Sequence, residues 1–347
     1  MDLRWRVVDL ESARPFVISR GATTRFQAMI VELRHGEHVG YGEAAPSKAV
    51  TGETLESVDQ FLQYVRKEVA DLSPKVWEGF LDDLHANICG NPSARAAVDL
   101  ALHDLVGKLE GVPARRLYGL KDATRLTTFT VSLGEPEAMA EEARSYEARG
   151  FRALKIKLGG RDGRDEERLA EVRGAVRATL RVDANEAWTQ EEARRLLPAL
   201  EAARVEMIEQ PIPRTALREL AALQRETAIP LYADEAILDE HDVRRAIEAG
   251  LAAPGGVNLK LQKTGGLRPA LQAARPAREH GLGVMAGCNL ETSVGISAAA
   301  QMLDLLAYAD LDGHLLLARD PFDGIPLQAG ALSTPTGPGL GIRPSPG

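Results

Sequence analysis

The 347-residue chain is 44% hydrophobic and 27% charged, the composition of a soluble globular protein with room for one large or two ordinary domains. A net charge of −8 without a long basic run argues against a nucleic-acid surface. Cys89 and Cys288 show neither metal-type spacing nor a disulfide pattern, and no stretch reads as a signal peptide or membrane span, so a cytoplasmic protein is expected.

Residues 2–10 alternate as a strand does, and a second strand at 26–34 joins 39–41 through the turn His35-Gly36-Glu37. Segments 18–24 and 42–54 are rich in small and polar residues and read as mobile connections. Helices are predicted near 54–69, 73–88 and 92–109. The third has the clearest start, with Asn91 as N-cap and Pro92 in the first turn. Its apolar positions Ala97, Leu100, Ala101, Leu105 and Leu109 form one stripe, and Gly111 follows its end. Residues 1–115 therefore read as an α+β domain.

From about Thr127 the pattern becomes strict alternation of strand and helix. Strands are predicted near 127–133, 151–158, 179–184, 205–210, 230–234, 255–261, 283–288 and 312–317, which makes 116–319 a closed parallel barrel. Pro269 fits the first turn of the helix after Lys260. Pro276 in that helix, and Pro198 in the one after Asp183, should kink or break theirs. No eighth barrel helix is visible after Leu317, and the Gly- and Pro-rich stretch 320–347 is expected to run back over the first domain.

One polar signature recurs through 151–260. RALKIKL carries Lys155 and Lys157, LRVDAN Asp183, VEMIEQP Glu209, PLYADEA Asp234 and VNLKLQK Lys260, and from Lys157 onward these lie 25 or 26 residues apart. That is the length of one β/α unit, so five consecutive strands offer a charge at the same end. In a parallel barrel it is the C-terminal mouth. Three carboxylates crowded there would repel by about 4 kcal/mol per pair at close range. A divalent cation removes that penalty, and an all-oxygen set favours Mg²⁺. Lys155 and Lys157 share one strand face, while Lys260 lies four strands on, diametrically opposite. A substrate carboxylate at the metal would hold its α-carbon between two amines, suited to removing a proton on one face and returning it on the other through an enolate. A free lysine is a poor base near neutrality; neighbouring positive charge lowers its pKa and the carboxylates oppose that shift.

The KxK at 155–157, the ligands Asp183, Glu209 and Asp234, the lysine in NLKLQKTGG and the cap-then-barrel order resemble the enolase superfamily, in its muconate-lactonising-enzyme subgroup. The resemblance covers nearly the whole chain. It implies an α/β fold, a modified TIM barrel (β/α)₇β, under an α+β capping domain built from 1–115 together with 320–347. It also implies one Mg²⁺ per subunit and Lys157 and Lys260 as the acid–base pair. Within the subgroup, Asp310-Leu311-Asp312 near the eighth strand is similar to dipeptide epimerases, in which two aspartates bind the free α-ammonium of the substrate. GEAAPSKAVTGET resembles their second capping loop. By the same resemblance Thr130 and Cys288 line the substrate site. Lys155 is expected to meet the substrate by stabilising the enolate oxygens, and Glu235 beside Asp234 and Glu291 after Cys288 read as hydrogen-bond partners behind the site. Arg20 and Arg25 are candidates for meeting an acidic second residue, and hydrophobic dipeptides remain open. A homo-oligomer acting on small dipeptides, with no nucleic-acid or membrane partner, is expected. An N-acylamino-acid racemase or cycloisomerase would share the metal and lysines without needing Asp310 and Asp312; a non-catalytic barrel scaffold would need none of them.

Overall fold

The structure is a computed structural model, which describes residues 1–19 and 21–346. The N-terminal region opens with an antiparallel sheet of β1 (Asp2–Ile18), β2 (Gly21–His35) and β3 (His38–Ala44), in that order. Its hairpin is far longer than the sequence alternation suggests. The register breaks between Glu11 and Phe16, yet Phe16 still pairs with Thr23, Val17 with Ala22 and Ile18 with Gly21. Of the described residues in 18–24, Ile18, Gly21, Ala22 and Thr23 thus belong to the paired end of a hairpin, not to an open connection. It has a surface to lie on: Leu133 N–H donates to Val17 O at 3.0 Å, and Ser19 Oγ to Asn185 O at 3.4 Å.

The helices α1 (Leu55–Ala70), α2 (Trp77–Asn87) and α3 (Pro92–Glu110) follow. Alternate residues of the sheet divide between two cores, as a pleat requires. Met29, Val31 and Leu33 pack with α1 and α3, whereas Ala28 and Ile30 join the core of the barrel. Helix α3 is buried on every side from Ser93 to Gly107 except at Arg95, not along one stripe. Glycines in β3 allow that approach, since a Cβ at Gly42 would stand 1.8 Å from Ala97 O. Asn91 does not cap α3: its backbone is left-handed (φ 49°) and its side chain makes no cap bond. Glu53 caps instead, accepting from Ser93 N and Ala94 N at 2.9 and 3.1 Å.

A short strand, β4 (Thr124–Leu126), leads into eight parallel strands in chain order around one sheet. These are β5 (Phe129–Val131), β6 (Ala153–Lys157), β7 (Thr179–Asp183), β8 (Val205–Glu209), β9 (Leu231–Ala233), β10 (Gly256–Leu259), β11 (Gly283–Ala286) and β12 (Tyr308–Ala309). A parallel bridge from Thr127 to Ala309 joins the first strand's approach to the last. Helices α4 (Pro136–Ala148), α5 (Asp165–Ala175), α6 (Gln190–Ala202), α7 (Leu217–Gln224), α8 (Glu240–Glu248), α9 (Leu261–Thr264), α10 (Leu267–Glu279) and α11 (Ser293–Ala300) fill the crossovers. This is the barrel-and-cap fold of the enolase type.

Two expectations are corrected here. The eighth strand is 308–309, pairing with Met285 and Ala286, and 313–316 is a 3₁₀ turn, so Asp310 and Asp312 follow the strand rather than begin it. Pro198 and Pro276 break neither helix: α6 and α10 run through them. Pro198 lies on the exposed face of α6. Pro269 lies in the first turn of α10 as expected. The stretch beyond 320 returns to the N-terminal region. Residues Ala331–Ser333 pair with β4, Ala114 N donates to Gly339 O at 2.7 Å, and Leu340 N to Asp104 Oδ1 at 2.8 Å. Among the described residues no helix is long and apolar enough to cross a membrane.

Candidate active site

Lys157, Asp183 and Glu209 are the last residues of β6, β7 and β8, and Asp234 and Lys260 come one residue after β9 and β10. The equal spacing read from the sequence is therefore a row of strand ends. All are buried, the carboxylates to within 1%. Lys157 Nζ stands 2.6 Å from Asp183 Oδ2 and 3.0 Å from Asn185 Oδ1. Lys155 Nζ reaches three carboxylates: Asp310 Oδ2 at 2.5 Å, Glu209 Oε2 at 2.9 Å and Asp183 Oδ2 at 3.0 Å. Lys260 Nζ is 2.7 Å from Asp234 Oδ2. Lys157 and Lys260 line one cavity of about 400 Å³ that also touches Lys155, Thr130, Cys288, Asp310 and Asp312.

The electrostatics follow from crowding. Burial works to lower the pKa of Lys260 and Lys155, but the adjoining carboxylates outweigh it, Asp234 first for one and Asp183 for the other, and both amines are raised. Of the two opposing influences expected on the amines, neighbouring positive charge and the carboxylates, the carboxylates win. Burial raises Asp183 and Asp234 too, yet Lys155 and Lys157 hold the first, and Lys260 and Lys263 the second, below the usual range. Glu209 goes the other way, pushed up to about 8 by burial and then by Asp183.

Asp310 accepts from Thr128 Oγ1 and pairs with Lys155, which keeps it low despite burial. Asp312 has no cationic partner among the described residues. Its Oδ2 accepts from Thr130 N at 2.8 Å, and burial and Asp310 raise it to about 6. The two aspartates thus differ: Asp310 reaches inward to the lysine shared with Asp183 and Glu209, and Asp312 faces Thr130 and Cys288. Cys288 Sγ contacts Asp310 O at 3.3 Å, and its thiol is held well above the ordinary value by burial and Asp312. Glu235 accepts from Asn185 Nδ2 at 3.1 Å, behind Lys157. Glu291 accepts from Asn289 N and Gln262 Nε2, on the cap side. Arg25 is turned outward: it pairs with Glu11 at 2.9 Å, with its side chain 82% exposed. Arg20 lies outside the described residues.

Four participants escaped sequence reading. Asn185 and Asn258 lie two residues from Asp183 and Lys260 respectively, a strand-face step that could have flagged them; Asn258 Nδ2 donates to Glu209 Oε1 at 2.7 Å. Lys263, buried and bonded to the carboxylate of Asp234, lies three residues past Lys260, a helical step that strand alternation hides. Thr128 sits just before β5.

The donor set fits Mg²⁺. It is all oxygen and buried, and Glu209 Oε2 makes no hydrogen bond, because Lys155 lies close but out of line. Around the cavity Lys155, Lys157, Lys260 and Lys263 face six buried carboxylates, those of Asp183, Glu209, Asp234, Glu235, Asp310 and Asp312, an excess of two negative charges when all are ionised. Ammonium groups stand against the carboxylates, and among the described residues no three acidic groups are gathered as a ready cluster.

Comparison with known proteins agrees on both parts of the chain. Residues 3–119 match the mandelate racemase / muconate lactonizing enzyme N-terminal domain, and 138–347 the enolase C-terminal domain-like family. The chain is 36% identical to the L-Ala-D/L-Glu epimerase of Bacteroides thetaiotaomicron, over 96% of this chain and 85% of that protein. It is 36% identical to the hydrophobic dipeptide epimerase of Roseobacter litoralis, over 98% of each. The dipeptide epimerase of Enterococcus faecalis V583, solved with Mg and the dipeptide L-Leu-L-Tyr, superposes with a TM-score of 0.93 at 32% identity, covering 98% of each chain. Strand-end charges, cap and similarity over both halves lead to one assignment: the chain belongs to the enolase superfamily, in its mandelate racemase / muconate lactonizing enzyme family.

Proposed function

We propose that this chain is a Mg²⁺-dependent dipeptide epimerase that inverts the α-carbon of the C-terminal residue of its substrate. The observation that carries the reading is that Lys157 and Lys260, at the ends of β6 and β10 four strands apart, line one cavity that also contains Asp310 and Asp312. Asp183, Glu209 and Asp234 would hold the ion, which when bound supplies a Lewis acid for the substrate carboxylate. Lys157 and Lys260 then take and return the α-proton from opposite faces, each serving as base for one epimer and acid for the other. Lys155 Nζ lies beside the same carboxylates, placed to stabilise the negative charge that develops on the enolate oxygens. Thr130 and Cys288 border the substrate, and Glu235 steadies Asn185 behind Lys157. Asp312, without a cationic partner among the described residues, is the group that the substrate ammonium would complete, with Asp310 beside it. The unit formed by 1–115 and 320–347 closes this cavity over the barrel of 116–319.

The outer wall supports uncharged side chains. Phe16, Ile18, Phe26, Val50, Leu290 and Leu316 line it, and among the described residues no cation joins them beyond the three lysines. Unpaired thiols support a cytoplasmic site of action, and assembly into a homo-oligomer is part of the proposal.

The test is incubation with a dipeptide panel in deuterated water, read by mass spectrometry. The expected outcome is deuterium at the C-terminal α-carbon together with interconversion, faster for L-Ala-L-Phe than for L-Ala-L-Glu. Preferential turnover of N-acylated amino acids would replace the reading with a racemase. Fast L-Ala-L-Glu would overturn only the side-chain preference.

A further inference from the structure

Outside the lysine–carboxylate ring lies a second pair of buried acids, at the seam between cap and barrel. Glu43, near the end of β3, is 0% exposed and Glu291, in the loop before α11, is 2% exposed. Glu43 crosses the seam: its carboxyl accepts from Thr292 N at 2.9 Å, Thr292 Oγ1 at 2.7 Å and Gly295 N at 2.9 Å. Glu291 accepts from Asn289 N at 2.7 Å and from Gln262 Nε2 at 3.1 Å. Among the described residues no lysine, arginine or histidine bonds to either carboxyl. Both crowd the same glycine, since a Cβ at Gly295 would stand 2.1 Å from Glu291 Oε2 and 3.2 Å from Glu43 Oε2.

The network continues to the wall of the cavity. Gln262 also donates to Glu43 O at 3.1 Å and accepts from Ala45 N at 2.9 Å. Asn289 Nδ2 donates to Ala45 O at 3.3 Å. Ala45 and Asn289 both line the cavity, one from the cap and one from the barrel. Two ionised carboxylates cannot share so dry a site without repulsion, whereas one proton between them removes it.

We propose that Glu43 and Glu291 are positioning residues that share one proton and, through Gln262 and Asn289, fix the cap segment beginning at Ala45 over the catalytic cavity. The charged and titratable groups around them are consistent. Lys260, from the β10–α9 turn, is the cation that acts on Glu291, and it is engaged by Asp234. Cys288 lies on the same loop. Asp320 is bonded to Ser293 on the other flank of the helix start, and Glu53 is bonded to the start of α3. Burial raises both acids, Glu43 to about 8 with Glu291 as the next cause, and Glu291 to about 7. The pair titrates jointly, with two apparent steps that belong to neither residue alone.

The sign is fixed by linkage. Carboxyls with pKa raised in the closed state favour closure while protonated, so closure weakens as pH rises from about 4.5 to about 8 and changes no further above that. The Mg²⁺-saturated enzyme, labelled with ¹³C at its glutamate carboxyls, should show a resonance still protonated at about pH 6.5, far above the ordinary range of about 4.3. Glu291→Gln should lower the pH at which the remaining Glu43 resonance ionises, since the second cause of its shift is removed while its burial stays. Amide exchange of 45–52, corrected for its intrinsic base catalysis, should accelerate at least about tenfold across the window in the parent and by clearly less in Glu291→Gln. KM should climb with pH over the same window while kcat holds, and Glu291→Gln should flatten that climb. If every glutamate in the parent ionises below about pH 5.5, the proposal fails, whether or not the variant folds. It fails equally if parent and variant exchange with the same pH dependence. Neither the carbon nor the exchange readout requires the substrate to be a dipeptide, so they stand apart from the epimerase reading.

Discussion

Two inward-facing layers of the barrel lie one strand step apart. In the lower, Arg181 stacks on Tyr308 at 4.6 Å and bonds Glu206 and Ala309 O, Tyr232 and Tyr308 meet edge to face at 5.3 Å, and Met207 and Met285 fill the remainder. Gly283 leaves room for the plug, since its Cβ would stand 1.8 Å from Tyr232 Oη. Two residues further along the same strands stand Asp183, Glu209, Asp234 and Asp310. There the side chains are as buried, yet Glu209 Oε2 goes without a hydrogen bond and the carboxylates outnumber the lysines. The lower layer satisfies itself; the upper is incomplete until an ion and a substrate arrive. Stability and chemistry are thereby separated by a single pleat.

That contrast can be broken from above or below. Chelation should reduce turnover to background and Mg²⁺ should restore it, since without the ion the substrate carboxylate has no electrophile. Full activity after verified removal of metal would end the account. Lys157→Ala and Lys260→Ala should each lower epimerisation by about 10²- to 10⁴-fold while one epimer retains α-proton exchange in deuterated water. Both variants should stay folded, because Asp183 keeps Lys155 and Asp234 keeps Lys263. Wild-type interconversion by either would rule out two bases. From below, Met207→Ala should lower unfolding free energy by about 2–5 kcal/mol in denaturant titration. Turnover per folded molecule should change far less than in the lysine variants; the reverse pattern would erase the distinction. The smallest expected effect is at the rim, where Asp312→Asn should lower kcat/KM for dipeptides by about 30-fold or more. N-acetylation of the substrate should then harm the variant much less than the parent.

What the sequence made legible was whatever repeats. Strand ends at near-constant spacing exposed the barrel, the row of charges and the cap-first order, because one β/α unit has a narrow range of lengths. The eighth strand was misplaced because it is two residues long and the alternation of Asp310 and Asp312 imitates a strand just beyond it. The hairpin end at 18–24 was misread because its pairing depends on a barrel surface that small residues do not announce. Asn91 looked like a cap, but the cap came from Glu53, 40 residues away from its partner Ser93. Gln262 and Glu43 were invisible for the same reason, meeting across 219 residues. Local pattern carries the frame; contacts made only after the chain folds back do not leave one.

The return of the chain to its beginning also sets an order of assembly. Asp104, fully buried in α3, accepts from Tyr41 N, from Lys108 Nζ and from Leu340 N, and a Cβ at Gly107 would stand 2.6 Å from Gly339 Cα. During synthesis, residues up to 110 leave the ribosome long before residue 340 exists. Their helix must wait with a buried carboxylate one donor short and a glycine face uncovered. The barrel between them is built of consecutive neighbours and can form as it emerges, whereas the N-terminal unit is sealed last. The earliest part of the polypeptide is therefore the latest part to be finished.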